Sequence, residues 1–251
     1  MPYDRLTSLS IVLPCHDEEQ NVAAAIHEAA AAAAATADAY EILVVDDGSA
    51  DATRAIAAAA SLRDPRVRLL VHDENRGYGA ALRTGIAAAR CDWILLTDAD
   101  LQFDLSELTR FVAPAADHDL VVGFRLARMD PAMRRVNAYA WNRLVGRVFD
   151  LDVRDVDCAF KLVRTELAQR LALTADGAMI STELLARARL AGASIVELGV
   201  RHRPRVAGRQ SGADPAVVVG AFRELRRIRG ELDARPSRAP SPSEPPHPAA
   251  A

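Results

Sequence analysis

Asp98 and Asp100 stand one residue apart in WILLTDADLQ, residues 93–102, where an apolar run gives way to carboxylates. An extended backbone turns residues i and i+2 to the same side, so this pair could share a hard divalent cation or its waters. Two bare carboxylates at that spacing repel and raise each other's pKa, which a cation offsets. Acidic clusters also follow two earlier apolar runs, in LPCHDEE at 13–19 and VVDDGSADAT at 44–53. A lone aspartate after a strand commonly caps the next helix. Three such endings point instead to a shared ligand.

The elements that must carry these clusters follow from the apolar pattern. Runs at 9–14, 41–47, 67–72, 93–98 and 119–123 are short and rich in Val, Ile and Leu, as strands buried on both faces are. Between them lie helix-favouring stretches at 18–39, 49–64 and 79–90. This alternation predicts an α/β chain: a mostly parallel central sheet in an α/β/α sandwich, with ligands beyond the carboxyl ends of the strands. Residues 1–233 are expected to form one domain. The proline-rich 234–251 is expected to be disordered, because it cannot bury enough to offset its ordering entropy.

Composition excludes several classes. The three cysteines are scattered, without CxxC or metal-site spacing, and suit reduced thiols in the cytoplasm. The first ten residues lack a signal-peptide pattern, and no stretch reaches the roughly 18 apolar residues of a membrane span. The first strand leads into LPCHDEE rather than GxGxxG, which disfavours a dinucleotide dehydrogenase. The net charge of −3 conceals an asymmetry: residues 1–122 carry 20 Asp/Glu and nine Arg, and residues 123–251 carry 14 Asp/Glu and 22 Lys/Arg. Such a change of sign can separate a cation-holding half of a site from an anion-holding half.

LPCHDEE, VVDDGSADAT, ENRGYGAALRTG, TDADLQ and DVDCAFKLVR occur in an order and at a spacing that resemble family 2 glycosyltransferases of the GT-A (Rossmann-like) fold. More narrowly, they resemble polyprenyl-phosphate glycosyltransferases of the dolichol-phosphate mannosyltransferase type. The resemblance implies that Pro14, His16 and Glu18 meet the nucleotide base and ribose, with His16 in place of the usual Tyr and Asp17 in place of Asn. It puts Val44, Asp46 and Asp47 against the nucleoside, and Asp98 and Ala99 against the donor. Gly77 and Gly79 would let the backbone pass close to the nucleotide. Asp98, Asp100 and Gln102 would hold Mg²⁺ or Mn²⁺ against the diphosphate of a GDP- or UDP-hexose. Growing charge on that leaving group needs such stabilisation.

The acceptor decides what else is required. An alcohol needs a general base, for which Asp155 and Asp157 are candidates; a phosphate is already an anion and needs positive charge to position it. Arginine suits the second task, because its planar fork binds phosphate oxygens in pairs. Arg125 falls at the family position for a phosphate-binding arginine. Arg134, Arg135 and Arg205 are further acceptor-phosphate candidates, while Arg203, Arg205 and Arg209 fall on a loop that in relatives closes over the diphosphate. The implied reaction is inverting, metal-dependent transfer of a hexose to a polyprenyl phosphate. The expected setting is peripheral, at the cytoplasmic face of a membrane, through the protein's own surface or a membrane partner, with no nucleic-acid partner. The alternatives are a soluble alcohol or glycan acceptor, or a non-catalytic nucleotide-sugar-binding subunit. Two amphipathic segments could meet lipid or their own sheet: one has Met133, Val136, Ala140, Leu144 and Val148 in register, the other Val218, Phe222, Leu225 and Leu232.

Overall fold

A computed structural model of the chain describes residues 5–126, 132–203 and 215–233. The expected tail at 234–251, together with Arg205 and Arg209, lies outside them; Arg134 and Arg135 fall on described helical backbone, but their side chains do not belong to the described part. Strands β1 (Leu6–Cys15), β2 (Ala37–Asp47), β3 (Val67–His72), β4 (Trp93–Leu96), β5 (Leu120–Arg125), β6 (Lys161–Arg164) and β7 (Ile195–Val200) form one sheet in the order β3-β2-β1-β4-β6-β5-β7. Only β6 runs against its neighbours; the other pairings are parallel.

Helices cover both faces, which explains the unbroken apolar runs. Ile11, Leu13, Ile42, Val44 and Leu95 enter one core cluster with α1 (Val22–Thr36) and α2 (Thr53–Arg63). The alternate residues Val12, Leu43, Val45, Ile94 and Leu96 enter a second cluster with α3 (Tyr78–Ala88), and after the short α4 (Thr109–Val112) come α5 (Ala132–Phe149), α6 (Thr165–Arg170), α7 (Ile180–Leu190) and α8 (Pro215–Asp233), which also contribute to it.

Three local expectations are corrected. The first helix ends at Thr36 rather than 39, and β2 begins at once. Arg5 donates to the carbonyls of Ala34, Ala35 and Ala37 and pairs with Asp38, so the chain is capped there and Ala37 joins Leu6 in the sheet. The stripe read along 132–149 is also corrected in part: Ala140 and Leu144 are exposed, whereas Val148 packs inward as expected, together with Trp141, Val145 and Phe149. In α8, Leu225 and Ile228 are buried in the second cluster, so this helix packs on its own protein. The third correction concerns β4, which stops at Leu96.

Candidate active site

The C-terminal ends of β1, β2 and β4 converge, because Cys15 pairs with Asp46 and Val12 with Leu96. The antiparallel β6 begins where β4 ends, Lys161 opposite Leu96, which brings residues 155–160 to the same edge. Val122 also pairs with Lys161, so β5 delivers Arg125 there too. Every strand-end motif therefore meets beside the point between β1 and β4 where the sheet order reverses. Open α/β sheets bind ligands at such a point.

The nucleoside side is braced by its own backbone. Asp17, at φ 54°, receives Ala50 N–H on Oδ1 at 2.8 Å and gives its own N–H to Ser49 Oγ at 3.1 Å. Glu18 is buried, takes Thr53 Oγ1 as acceptor for its N–H at 2.8 Å, and receives Asn21 Nδ2 at 2.6 Å. The exposed His16 ring donates from Nδ1 to the Asp47 carbonyl at 2.9 Å, which sets its plane. Pro14 lies in β1 beside Val45, while Val44 is wholly buried and supports the site from beneath.

Asp46 is buried, and its Oδ2 has no hydrogen-bond partner. A buried carboxylate oxygen left unpaired costs roughly 1–3 kcal/mol or more, so it marks a place for a ligand donor. Negative charge is dense here: burial first, then Glu18, Asp46 and Asp51, push the Cys15 thiol far above its ordinary range.

Asp47 faces the other way. Its carboxylate accepts Arg76 N–H at 3.0 Å, Gly77 N–H at 2.8 Å and His72 Nδ1 at 2.5 Å, fixing the turn before α3. The glycines of that turn are needed for a close approach within the chain. A Cβ on Gly77, at φ 100°, would lie 2.5 Å from the Asp176 carbonyl oxygen, and one on Gly79 would lie 2.4 Å from that of Ala175. They admit the 175–177 segment.

The acidic pair lies on a bend beyond β4, not on extended strand. Asp100 accepts its own Gln102 N–H at 3.1 Å, and Leu101 takes φ 63°. Ala99 is buried in the first core cluster. Gln102 Nε2 donates to Arg203 O at 3.2 Å, so the amide oxygen is the end able to meet a cation. Among the described residues no group of three His, Cys, Asp or Glu could hold a metal alone. Two carboxylates and an amide oxygen fit an ion whose remaining ligands are water and substrate phosphate, the usual condition of Mg²⁺.

Arg203 N–H returns to Gln102 O at 2.7 Å, Arg203 pairs with Asp104 at 2.6 Å, and Phe103 bridges to His202. This clasp between 102–104 and 202–203 joins residues about a hundred positions apart and had no local signal in the sequence.

On the basic side Arg125 and Asp155 form a two-pronged pair, Nε to Oδ2 at 2.6 Å and Nη2 to Oδ1 at 2.7 Å. Burial opposes the Arg125 charge, but Asp155 outweighs it and holds the guanidinium above its ordinary range. Asp155 is buried and Asp157 exposed. Lys161, the single lysine, is buried and donates to the carbonyls of Val156 and Cys158; burial lowers its pKa. Burial likewise pushes the Cys158 thiol up to about 11, with Lys161 opposing.

The family model described as Glycosyl transferase family 2 matches residues 10–172. Dodecaprenyl-phosphate galacturonate synthase of Rhizobium johnstonii is 31% identical over 172 residues, 67% of this chain and 51% of that protein. Glycosyltransferase AglD of Haloferax volcanii is 30% identical over 207 residues, 78% of this chain and 33% of that protein. Undecaprenyl-phosphate 4-deoxy-4-formamido-L-arabinose transferase of Yersinia pestis is 29% identical over 168 residues, 66% of this chain and 51% of that protein. The chain thus spans about half the length of two of these relatives and a third of the other. Glucosyl-3-phosphoglycerate synthase of Mycobacterium tuberculosis, solved with Mn²⁺, uridine diphosphate and phosphoglyceric acid, superposes with a TM-score of 0.70 at 21% identity, over 89% of this chain and 78% of that one. That likeness establishes the fold, the GT-A arrangement expected from the sequence.

Proposed function

The chain belongs to glycosyl transferase family 2, and from that premise we propose that it moves a hexose, with inversion, from a nucleotide-diphosphate sugar to a polyprenyl phosphate at a membrane surface. The observation that carries the donor half is the meeting of Glu18, Asp46, Asp98 and Asp100 at one sheet edge, with a buried Asp46 oxygen awaiting a partner. The acceptor half is supported by two relatives whose names specify polyprenyl-phosphate chemistry and by the arginine-rich second half of the chain.

In this reading the nucleoside lies against His16 and Glu18, and Asp46 Oδ2 accepts from a donor on the base or ribose. Asp98, Asp100 and the Gln102 amide oxygen would hold Mg²⁺ or Mn²⁺. Such an ion, when bound, stabilises negative charge on the departing diphosphate. An acceptor phosphate supplies its own nucleophilic oxygen, so no residue has to remove a proton. Both oxygens of Asp155 already face Arg125, which suits a positioned, phosphate-facing rim better than a lone base. No helix among the described residues is long and apolar enough to cross a membrane; contact with lipid is proposed to be peripheral, from the cytoplasmic side.

The test uses the purified chain with labelled UDP- and GDP-hexoses, Mn²⁺, and either a short-chain polyprenyl phosphate or soluble alcohols and glycans. Lipid-linked sugar, lost with EDTA and with Asp100→Ala, is expected. Transfer to soluble alcohols alone would overturn the lipid reading, and binding of the sugar nucleotide without any transfer would make the chain a non-catalytic subunit.

A further inference from the structure

Helices α5 and α8 meet on one face of the sheet. Both contribute to the second core cluster, and Arg229 of α8 crosses to α5 and donates to the Val148 carbonyl at 2.5 Å. Each helix buries one stripe and turns arginines the other way. Along α8, Leu225 and Ile228 are buried, whereas Arg223, Arg226 and Arg227, at the i, i+3 and i+4 spacing of one helical face, are exposed. Along α5, Val145 and Phe149 are buried, whereas Arg143, Leu144 and Arg147 are exposed. Acidic residues do not balance this surface. Helix α5 contains no Asp or Glu. The glutamates of α8 are engaged by the protein itself: Glu224 accepts Asp176 N–H at 3.3 Å, and Glu231 accepts Arg187 Nη2 and Arg227 Nη1, each at 2.8 Å. Charge is thus sorted by face, and the outer side of the two helices is positive at Arg143, Arg147, Arg223 and Arg226. This ridge adjoins the site. Asp176, held by Glu224, receives Gly79 N–H on its carbonyl at 2.7 Å, in the turn into α3 that Asp47 grips through Gly77.

We propose that the outer face of α5 and α8 is the surface by which the chain docks on an anionic phospholipid bilayer, with Arg143, Arg147, Arg223 and Arg226 against lipid phosphates and Leu144 entering the headgroup layer. The proposal rests on the reading of a polyprenyl-phosphate acceptor, whose apolar chain keeps it in a bilayer, and names the face that meets that bilayer. An anionic leaflet attracts basic side chains that come within about a Debye length, roughly 8–10 Å, and each arginine there strengthens binding about five-fold. The guanidinium fork adds paired hydrogen bonds to phosphate oxygens. The buried stripes of both helices stay in the second core cluster, so docking requires no unfolding of either.

The test is co-sedimentation of the full chain with phosphatidylcholine vesicles, with and without phosphatidylglycerol, at low and high salt. Two variants remove ridge charge, Arg223→Gln with Arg226→Gln and Arg143→Gln with Arg147→Gln; glutamine keeps the helix propensity. A control removes the same charge from the opposite face of the sheet, Arg54→Gln with Arg63→Gln, both exposed on α2. The parent is expected to bind the phosphatidylglycerol vesicles, to leave them at high salt and to ignore neutral ones. Each ridge variant should bind about 10-fold more weakly or worse, and the α2 variant within about two-fold of the parent, with unfolding temperatures unchanged. An equal loss in the α2 variant would make net charge the cause and overturn the docking face. So would a parent that sediments with neither kind of vesicle, or one that a homopolymeric RNA strips from them through the same arginines. Transfer to a short-chain polyprenyl phosphate in vesicle-free solution tests the acceptor separately: its absence, with docking intact, would remove the lipid-acceptor reading and leave the docking face standing.

Discussion

Arg125 and Asp155 show that a candidate site residue can find its first partner within the chain. Each has the chemistry of an active-site group, one to bind phosphate and one to accept a proton. In the fold they occupy each other, with both carboxylate oxygens facing the guanidinium and little of either side chain exposed. Removing one member of a buried pair leaves an uncompensated charge, so Asp155→Ala is expected to cost roughly 3–5 kcal/mol, whereas Asp157→Asn, on an exposed residue, should stay within about 0.5 kcal/mol. Urea midpoints at neutral pH measure both. A loss below about 1 kcal/mol in Asp155→Ala would mean that the pair is not what holds this loop. The carboxylate clusters were legible in the sequence because neighbouring positions carry them: 16–19, 46–47 and 98–100 each lie within a few residues. The contact of Arg125 with Asp155 was not, since it joins positions 30 apart. Such contacts arise only when separate strand ends meet.

At the scale of elements, the strands were legible because burial on both faces leaves an unmistakable apolar run. Their ends were less so. Nothing in TDADLQ itself announces that β4 stops at Leu96; the stop reflects the pairing of β4 with β1 and β6 over four residues only. The inward face of α5 was read in part, because Val148 packs on the second core cluster as expected, whereas Ala140 and Leu144 share the spacing of a core stripe yet are exposed and Trp141, Val145 and Phe149 pack inward. The turn into α3 is the element on which the site depends most, since it is gripped by Asp47 from one side and by the 174–177 segment from the other. Gly79→Ala would drive a methyl to 2.4 Å and 2.7 Å from two carbonyl oxygens of backbone that cannot swing aside. Overpacking of this kind costs typically about 1–3 kcal/mol. The expected result is a lower unfolding temperature together with weaker sugar-nucleotide binding, as the displaced turn pulls on Asp47, which accepts its Arg76 and Gly77 N–H groups. Full stability in Gly79→Ala would show that the segment yields, and that the grip is looser than the geometry implies.

Across the whole molecule, two buried carboxylates far from the donor site tie the layers together. Glu41 accepts Ser10 Oγ at 2.7 Å, Arg90 N–H at 2.8 Å and Arg68 at 2.6 Å, joining β1, β2, β3 and the approach to β4 at the end of the sheet away from the site. Glu183 gathers the 174–175 backbone and Arg187, which reaches on to Glu231 of α8. Burial raises the pKa of each, but hydrogen bonds outweigh it, from Arg68 and Ser10 for Glu41 and from Ala175, Thr174 and Arg187 for Glu183; both fall below the ordinary glutamate value of 4.5. A carboxyl depressed in the folded state binds fewer protons than in the unfolded chain, so stability rises with pH through this range. The contribution is therefore complete above the ordinary value of 4.5 and is lost as pH falls below it, through the depressed folded values. Urea unfolding from about pH 6.5 down to about pH 3.5 is expected to show a plateau and then a steep decline. Glu41→Gln and Glu183→Gln should lower the plateau and flatten the decline, because the proton uptake that drives it has been removed. A decline equally steep in both variants would assign acid unfolding to other carboxylates and leave these two as neutral hydrogen-bond acceptors.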